Sequence, residues 1–230
     1  MGGGVEHDSL KLGGTPALEL LTFANQYGKH FYQGMLNASW SYRNFDRYLF
    51  PTRGSMLSAS SSVTVPISAK NSLEYYKLDL SGTRYQPIYK QFIGKLNARA
   101  GYGDGYGKFK TLPFFKNYYA GGIGTIRGYE GNSLGPKDST NQVLGGKFIV
   151  YGTAELIFPN PLGQTLRTGW FVDGGNVSTR ATLKDLRCST GLEVDWKSPM
   201  GVLNFAIAKA LNARTGDDTE VFQFTIGTTF

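Results

Sequence analysis

At 230 residues the chain has room for one all-β domain or two small ones, and no run of about 18 apolar residues is present, which excludes a helical membrane protein. Its 24 Lys and Arg against 17 Asp and Glu give a net charge of +7, yet the basic residues are scattered singly, which argues against nucleic acid as a partner. The single Cys188 excludes an internal disulfide, no C-x-x-C pair is available to hold a metal, and no cofactor is expected.

The opening "MGGGVEHDSL" lacks the basic and apolar regions of a secretory signal, so if the protein is exported these residues are expected to be a mature fragment or to carry a new start methionine. Residues 3 to 10 read as a partial strand. Helical spacing follows from Pro16 to Tyr27, with Thr15 as N-cap, Gly28 past the end, and Ala17, Leu20, Leu21, Ala24 and Tyr27 as its apolar stripe. From there the pattern changes to period 2. "LNASWSY", "SMLSASSSVTV", "YYKLDLSGTRY" and "FIGKLNARAGY" alternate weakly, and residues 145 to 158 set Phe148, Val150, Ala154, Leu156 and Phe158 against Tyr151, Thr153 and Glu155. Next, Leu166, Trp170 and Val172 oppose Asp173; "GLEVDWK" sets Leu192, Val194 and Trp196 against Glu193, Asp195 and Lys197; "GVLNFAIA" sets Leu203, Phe205 and Ile207 against Asn204 and Ala206. In the closing "VFQFTIGTTF", Phe222, Phe224, Ile226 and Phe230 share one face.

Short turns at "FPTRG", "YQPIY", "PNPLG" and "SPMG" alternate with longer links at 66–72, 117–144, 178–186 and 210–218. Such a chain is an antiparallel up-and-down meander. A soluble sandwich would carry Lys and Glu on its outer face, whereas here the face opposite the apolar one is Gly, Ala, Ser, Thr, Asn and Tyr with embedded charge. The expected fold class is therefore all-β, a transmembrane β-barrel of about nine or ten strands with one short surface helix; the soluble β-domain stands as the alternative.

Candidate chemistry is sparse. His7 and His30 have no Ser and Asp arranged with them on one face, Cys188 reads as a small strand residue, and Gly216 to Asp218 reads as a solvated loop tip. Asp46 and Arg47 are expected to hold a turn. The tyrosine and tryptophan sets, Tyr75 with Tyr76, Tyr118 with Tyr119, and Trp40 with Tyr42, suit an interfacial girdle as well as a ligand cage. The stretch "GGIGTIRGYEGNSLGPKD", residues 121 to 138, places Arg127 among glycines. A phosphate cradle fails on spacing, because Gly122 and Gly124 are followed by Arg127 where a third glycine is required. From spacing alone, Arg127 could equally be a solvated loop residue.

"RNFDRYLFPTRGS", "YGDGYG", "LPFFKNYYAGGIGTIRGYEGNSLGPK", "AELIFPNPLG", "FVDGGNV" and "FQFTIGTTF" occur in the order found in the BamA family of outer-membrane assembly factors, and residues 35 to 230 resemble the C-terminal half of its barrel. The resemblance implies a bacterial outer-membrane location and a larger barrel, sixteen-stranded in that family. Residues 1–230 would then be a single barrel piece without the first barrel strands or the periplasmic POTRA domains. It implies a non-enzymatic role in folding and inserting β-barrel clients, with outer-membrane lipids and accessory lipoproteins as further partners, the latter mainly through POTRA domains. Alone, such a piece is expected to show little or no activity. In the family the [VI]-R-G-[FY] loop, here Ile126, Arg127, Gly128 and Tyr129, folds into the lumen, and the arginine pairs with inner-wall acids, here Glu155 and Asp173. Alternation independently turns both carboxylates inward. The terminal strand, Thr219 to Phe230 with Phe222, Phe224, Ile226, Gly227 and Phe230, would pair weakly with the first barrel strand and act as a gate, Gly227 weakening it. A passive pore and a polypeptide-translocating barrel of the two-partner-secretion type, which shares the R-G-[YF] element, are the alternatives.

Overall fold

The computed structural model describes residues 1–11, 17–67, 72–162 and 165–227. Ten strands form one sheet in which spatial order equals chain order and every pairing is antiparallel. They are β1 (Gly2–Ser9), β2 (His30–Arg43), β3 (Gly54–Pro66), β4 (Tyr75–Tyr89), β5 (Phe92–Gly105), β6 (Phe148–Ile157), β7 (Leu166–Ser178), β8 (Arg187–Ser198), β9 (Gly201–Ala210) and β10 (Phe222–Ile226). Most match or exceed the roughly 9 to 11 residues a tilted strand needs to cross a bilayer. Among the described residues β1 and β10 do not pair with each other.

Burial along the strands decides between sandwich and barrel. Leu78, Leu80, Leu96, Trp170, Leu192, Ile207, Phe222 and Phe224 are exposed, while Gln33, Thr64, Glu155, Asp173, Glu193, Asn204 and Gln223, on the opposite parity, are buried. An apolar exterior around a polar interior is stable in lipid and would be an aggregation surface in water. The soluble alternative is overturned on this ground.

The shortest and the longest connections lie at opposite ends of the sheet. Lys90–Gln91 and Pro199–Met200 are two-residue links, whereas residues 106–147, which hold a 3-10 turn at Phe114–Lys116, form the longest link at the opposite end. The turn expected inside "YQPIY" lies later. β4 continues to Tyr89 with a register shift between Pro87 and Tyr89, a place where a proline without an N–H is tolerated, and the chain reverses at Lys90, whose φ is 49°.

Helix α1 spans Leu18–Tyr27, with Ala17 preceding its first residue; Thr15 and Pro16, expected to cap and start it, lie outside the described residues. Gly28 follows at φ 90° and donates its N–H to Ala24 O. The buried stripe is rotated from the expected one. Leu21 is exposed, and Phe23 instead meets the rings of Tyr27, Phe31, Phe109, Phe114 and Phe115 at centroid distances of 5.1 to 6.1 Å. Thus α1 does not lie on an outer surface beside β2. Its aromatic side covers the long-link mouth of the lumen above Phe31, Leu73, Tyr75 and Leu112. Tyr75 and Tyr118 are buried in packed clusters and leave the girdle to Tyr42, Trp40 and Tyr76.

The link between β2 and β3, residues 44–53, bends under the concave side of the sheet. Asp46 accepts from Thr52 N (2.9 Å), Thr52 Oγ1 (2.6 Å) and Arg53 N (3.1 Å), which closes the turn as expected of that residue. Burial raises its carboxyl, but the donors from Thr52 and Arg53 outweigh burial and hold it at about 2, below the usual 3.8. A depressed carboxyl stabilises the turn above about pH 4 and ceases to do so as the pH falls toward 2. The protection of the Thr52 and Arg53 amides, their exchange by NMR relative to the free-chain rate at the same pH, is therefore expected to be high at pH 5 and to fall through that window; Asp46→Asn should flatten that dependence.

Candidate functional site

The lumenal face of β6 to β8 meets the segment Gly121–Leu134 of the long link. Four donors converge on Asp173 of β7, which is fully buried: Arg127 Nε at 2.8 Å, Arg127 Nη2 at 2.7 Å, the Arg127 backbone N at 3.0 Å and Thr153 Oγ1 at 2.8 Å. A carboxylate that accepts a side-on fork, a backbone N–H and a hydroxyl has its lone-pair sites filled, the condition under which a buried ion pair holds its place. The other guanidinium nitrogen, Nη1, donates to Glu193 Oε2 of β8. The guanidinium carbon Cζ lies 3.4 Å from the Phe171 ring centroid. Phe171 stands there because Gly191 faces it: a Cβ at Gly191 would meet Phe171 Cζ at 2.8 Å.

The neighbouring motif residues fix the loop around this pair. Ile126 and Tyr129 are fully buried with Tyr118, Ala120, Leu134, Ile149 and Val177. Gly128 turns at φ 84° against the backbone of β9, where a Cβ would sit 3.2 Å from Ala210 N. The loop is also tied to the chain's last strand: Gly128 N donates to Gln223 Oε1 (3.3 Å), Gln223 Nε2 to Tyr129 O (2.7 Å), and Glu220 N to Gly128 O (3.2 Å).

Of the two expected acidic partners, Asp173 contacts Arg127 and Glu155 does not. Lys95 stands directly opposite Glu155 in the β5–β6 register and takes it at 2.9 Å. Glu193 fills the vacated role. Its inward parity was visible in "GLEVDWK", but its proximity depends on how β8 and the loop meet, which period-2 alternation does not encode. The terminal strand is shorter than expected. β10 covers Phe222–Ile226, with Phe222, Phe224 and Ile226 outward; Gly227 follows the strand end at φ 134° and donates to Val202 O, and Phe230 lies outside the described residues. Thr219 forms a bridge with Tyr129 instead of extending the strand. Gly216 and Asp218 are exposed, as expected of a solvated loop tip, and the tip is tied down: Lys137 Nζ donates to Gly216 O (2.7 Å) and reaches Asp218 Oδ2 (3.3 Å), and Asp217 pairs with Arg187 at 2.5 Å. That pairing holds the Asp217 carboxyl low against the upward push of its partial burial.

Sequence reading missed a second contact across the lumen. Arg167 at the short-turn end of β7 donates to Pro51 O at 2.7 Å and lies over the rings of Phe50 (4.7 Å) and Tyr85 (5.6 Å). Leu49, Phe50 and Pro51 thereby cover Lys95, Glu193 and Asp195 from below. Among the described residues no group of three or more His, Cys, Asp or Glu side chains could hold a metal ion.

A sheet apolar outside and charged inside, with a long link folded back into its concavity, defines a transmembrane β-barrel whose lumen is occupied by its own loop. The chain belongs to the Omp85 superfamily, whose domain matches residues 2–230. It is 33% identical to the outer membrane protein assembly factor BamA of Neisseria meningitidis serogroup B over 250 aligned residues, covering 90% of this chain and 31% of that protein. It is 24% identical to the sorting assembly machinery 50 kDa subunit of Saccharomyces cerevisiae, covering 80% of this chain and 40% of that one. The crystal structure of BamA from Haemophilus ducreyi lacking POTRA domains 1–3 superposes with a TM-score of 0.87 at 28% identity, over 97% of this chain and 49% of that one. The chain thus spans half or less of these relatives. It is an outer-membrane protein.

Arg127→Ala leaves Asp173 and Glu193 buried and uncompensated, and is expected to cost about 3–5 kcal/mol in urea unfolding from lipid vesicles. Arg127→Lys should recover little, because an ammonium cannot fork. The triple change R127M/D173N/E193Q should recover most of the loss. Arg167→Ala is expected to raise hydrogen exchange in residues 47–53 by about tenfold or more, the loss of one charge-assisted hydrogen bond, with little change in β7.

Proposed function

We propose that these residues form the C-terminal part of the barrel of an outer-membrane β-barrel assembly factor, which folds and inserts client barrels through its terminal strand. The observation that carries this reading is the bridge made by the Ile126–Tyr129 segment. One side is anchored by Arg127 on Asp173 and Glu193 of the inner wall, and the other holds Gln223 of β10. A loop that grips both wall and terminal strand sets where that strand stands.

β10 pairs with β9 over five residues, Phe222 to Ile226, and its other edge carries no partner among the described residues. Unpaired N–H and C=O groups on such an edge can template an incoming strand, whose own apolar face would meet lipid beside Phe222 and Phe224. Clients are unfolded β-barrel chains. Accessory lipoproteins would dock mainly on periplasmic POTRA domains of the whole factor. The work is done by hydrogen-bond templating and apolar burial, with no covalent step. A passive pore would need the loop only as a stopper and gives no reason for its hydrogen bonds to β10.

The test is client folding into liposomes by the whole factor and its Arg127→Ala variant, read by heat-modifiable migration of the client. Folding is expected to slow severalfold in the variant, without a matching rise in conductance. Unchanged client folding with altered conductance would replace this reading with the pore.

A further inference from the structure

The lipid-facing parity of β2 to β9 carries three charged side chains among the described residues. Asp104 is next to last in β5, at the loop end, and pairs with Lys147 at 2.7 Å. Lys209 is the next-to-last residue of β9, at the loop end. Arg84 is different: it lies within β4, five residues before Tyr89 at the short-turn end, and it is exposed. Its register partners on either side are Ser55 of β3 and Leu96 of β5. Among the described residues no carboxylate pairs with it; its Nη2 donates to Gln86 Oε1 at a long 3.4 Å. A cation held on a lipid-facing wall is costly unless it reaches water or an anion.

The wall beside Arg84 is not flat. Small side chains at Gly82, Ala98, Gly152 and Ala154 sit between Leu57, Leu96, Leu156 and Trp170, and leave two shallow apolar grooves of about 730 Å³ and 640 Å³. Arg84, Leu96, Ala154 and Val172 line both, so the grooves run on from each other with the guanidinium beside them. Their volumes fall in the range of small-molecule sites, about 300–1,000 Å³.

We propose that this is a binding site for an anionic phospholipid of the periplasmic leaflet. Its phosphate would be taken by Arg84, with the Ser55 hydroxyl at hand, and an acyl chain would lie in the groove along Leu96, Ala154 and Val172. Leaflet and sign both follow from position. Short turns face the periplasm in barrels of this kind, and Arg84 lies in the short-turn half of β4. A zwitterionic headgroup brings an ammonium that finds no carboxylate beside Arg84, whereas an anionic headgroup leaves nothing unmatched. The site is separate from the Arg127 anchor, which faces the other side of the sheet, and does not rest on the assembly reading.

The test is native mass spectrometry of the detergent-extracted protein titrated with phosphatidylglycerol, phosphatidylcholine or lipid A. Wild type is expected to retain phosphatidylglycerol about fivefold more tightly than phosphatidylcholine, the contribution of one arginine near an anionic surface. Arg84→Gln should abolish that preference while heat-modifiable migration stays unchanged. Ala154→Phe, which fills the groove and keeps the charge, should lower retention of both phospholipids. Equal retention of the two phospholipids by wild type, undiminished phosphatidylglycerol retention in Arg84→Gln, unchanged retention in Ala154→Phe, or preferential retention of lipid A would each overturn the proposal.

Discussion

A guanidinium enclosed in a protein has to be matched atom by atom, and Asp173 is where this chain meets that demand. Its two oxygens take Nε, Nη2 and the backbone N–H of Arg127 together with the Thr153 hydroxyl. Such a partner must itself be rigid. Asp173 lies in the middle of β7, hydrogen-bonded on both sides by β6 and β8, so the carboxylate has no freedom to follow a moving loop. The loop comes to the wall. The alternation of β6 to β8 is then more than a membrane signature, since the parity that turns Trp170 and Leu192 to lipid also delivers Asp173 and Glu193 to the lumen.

Around that anchor the lumen is an electrostatic lattice. Three cations, Arg127, Lys95 and Arg167, face four carboxylates, Asp173, Glu193, Glu155 and Asp195, and Asn204 donates to Asp195. Each cation belongs to a different piece of the chain: the long link, β5 and the foot of β7. Removing Arg127 or Lys95 therefore leaves a carboxylate stranded on another element, whereas removing Arg167 releases the 49–51 segment.

Periodicity made the outer surface legible, because a two-residue repeat fixes which side chains meet lipid and which do not. Leu192 against Glu193, or Phe224 against Gln223, needs no further knowledge. It made Asp173 legible too, through parity and motif together. Pairing is another matter. Glu155 and Glu193 have the same parity, and only the stagger of β5 against β6 decides that Lys95 stands across from Glu155 and leaves Glu193 for Arg127. The rotation of α1 escaped for a related reason. A stripe drawn through Leu21 maximises apolar area on the helix, but the aromatic partners contributed by residues 109 to 115 select Phe23. The inward bend of residues 44–53 rests on Arg167, which no local pattern links to Pro51.

The distances along the chain between these partners have a kinetic meaning. Pro51 waits for Arg167, 116 residues later, and Arg127 waits for Asp173 and Glu193, 46 and 66 residues later. Contacts of such separation form late, after local hairpins, because closing a long loop costs entropy before any contact repays it. β1 to β5 can zip as successive hairpins while both lumenal segments remain unanchored. The Arg127 and Arg167 contacts form only when β7 and β8 join the sheet. Until that moment the long link is held near its start, by Lys116 on Glu6 and Asp8 and by Tyr118 on Asp79, and β7 and β8 then supply the groups that fix its Arg127 to the wall.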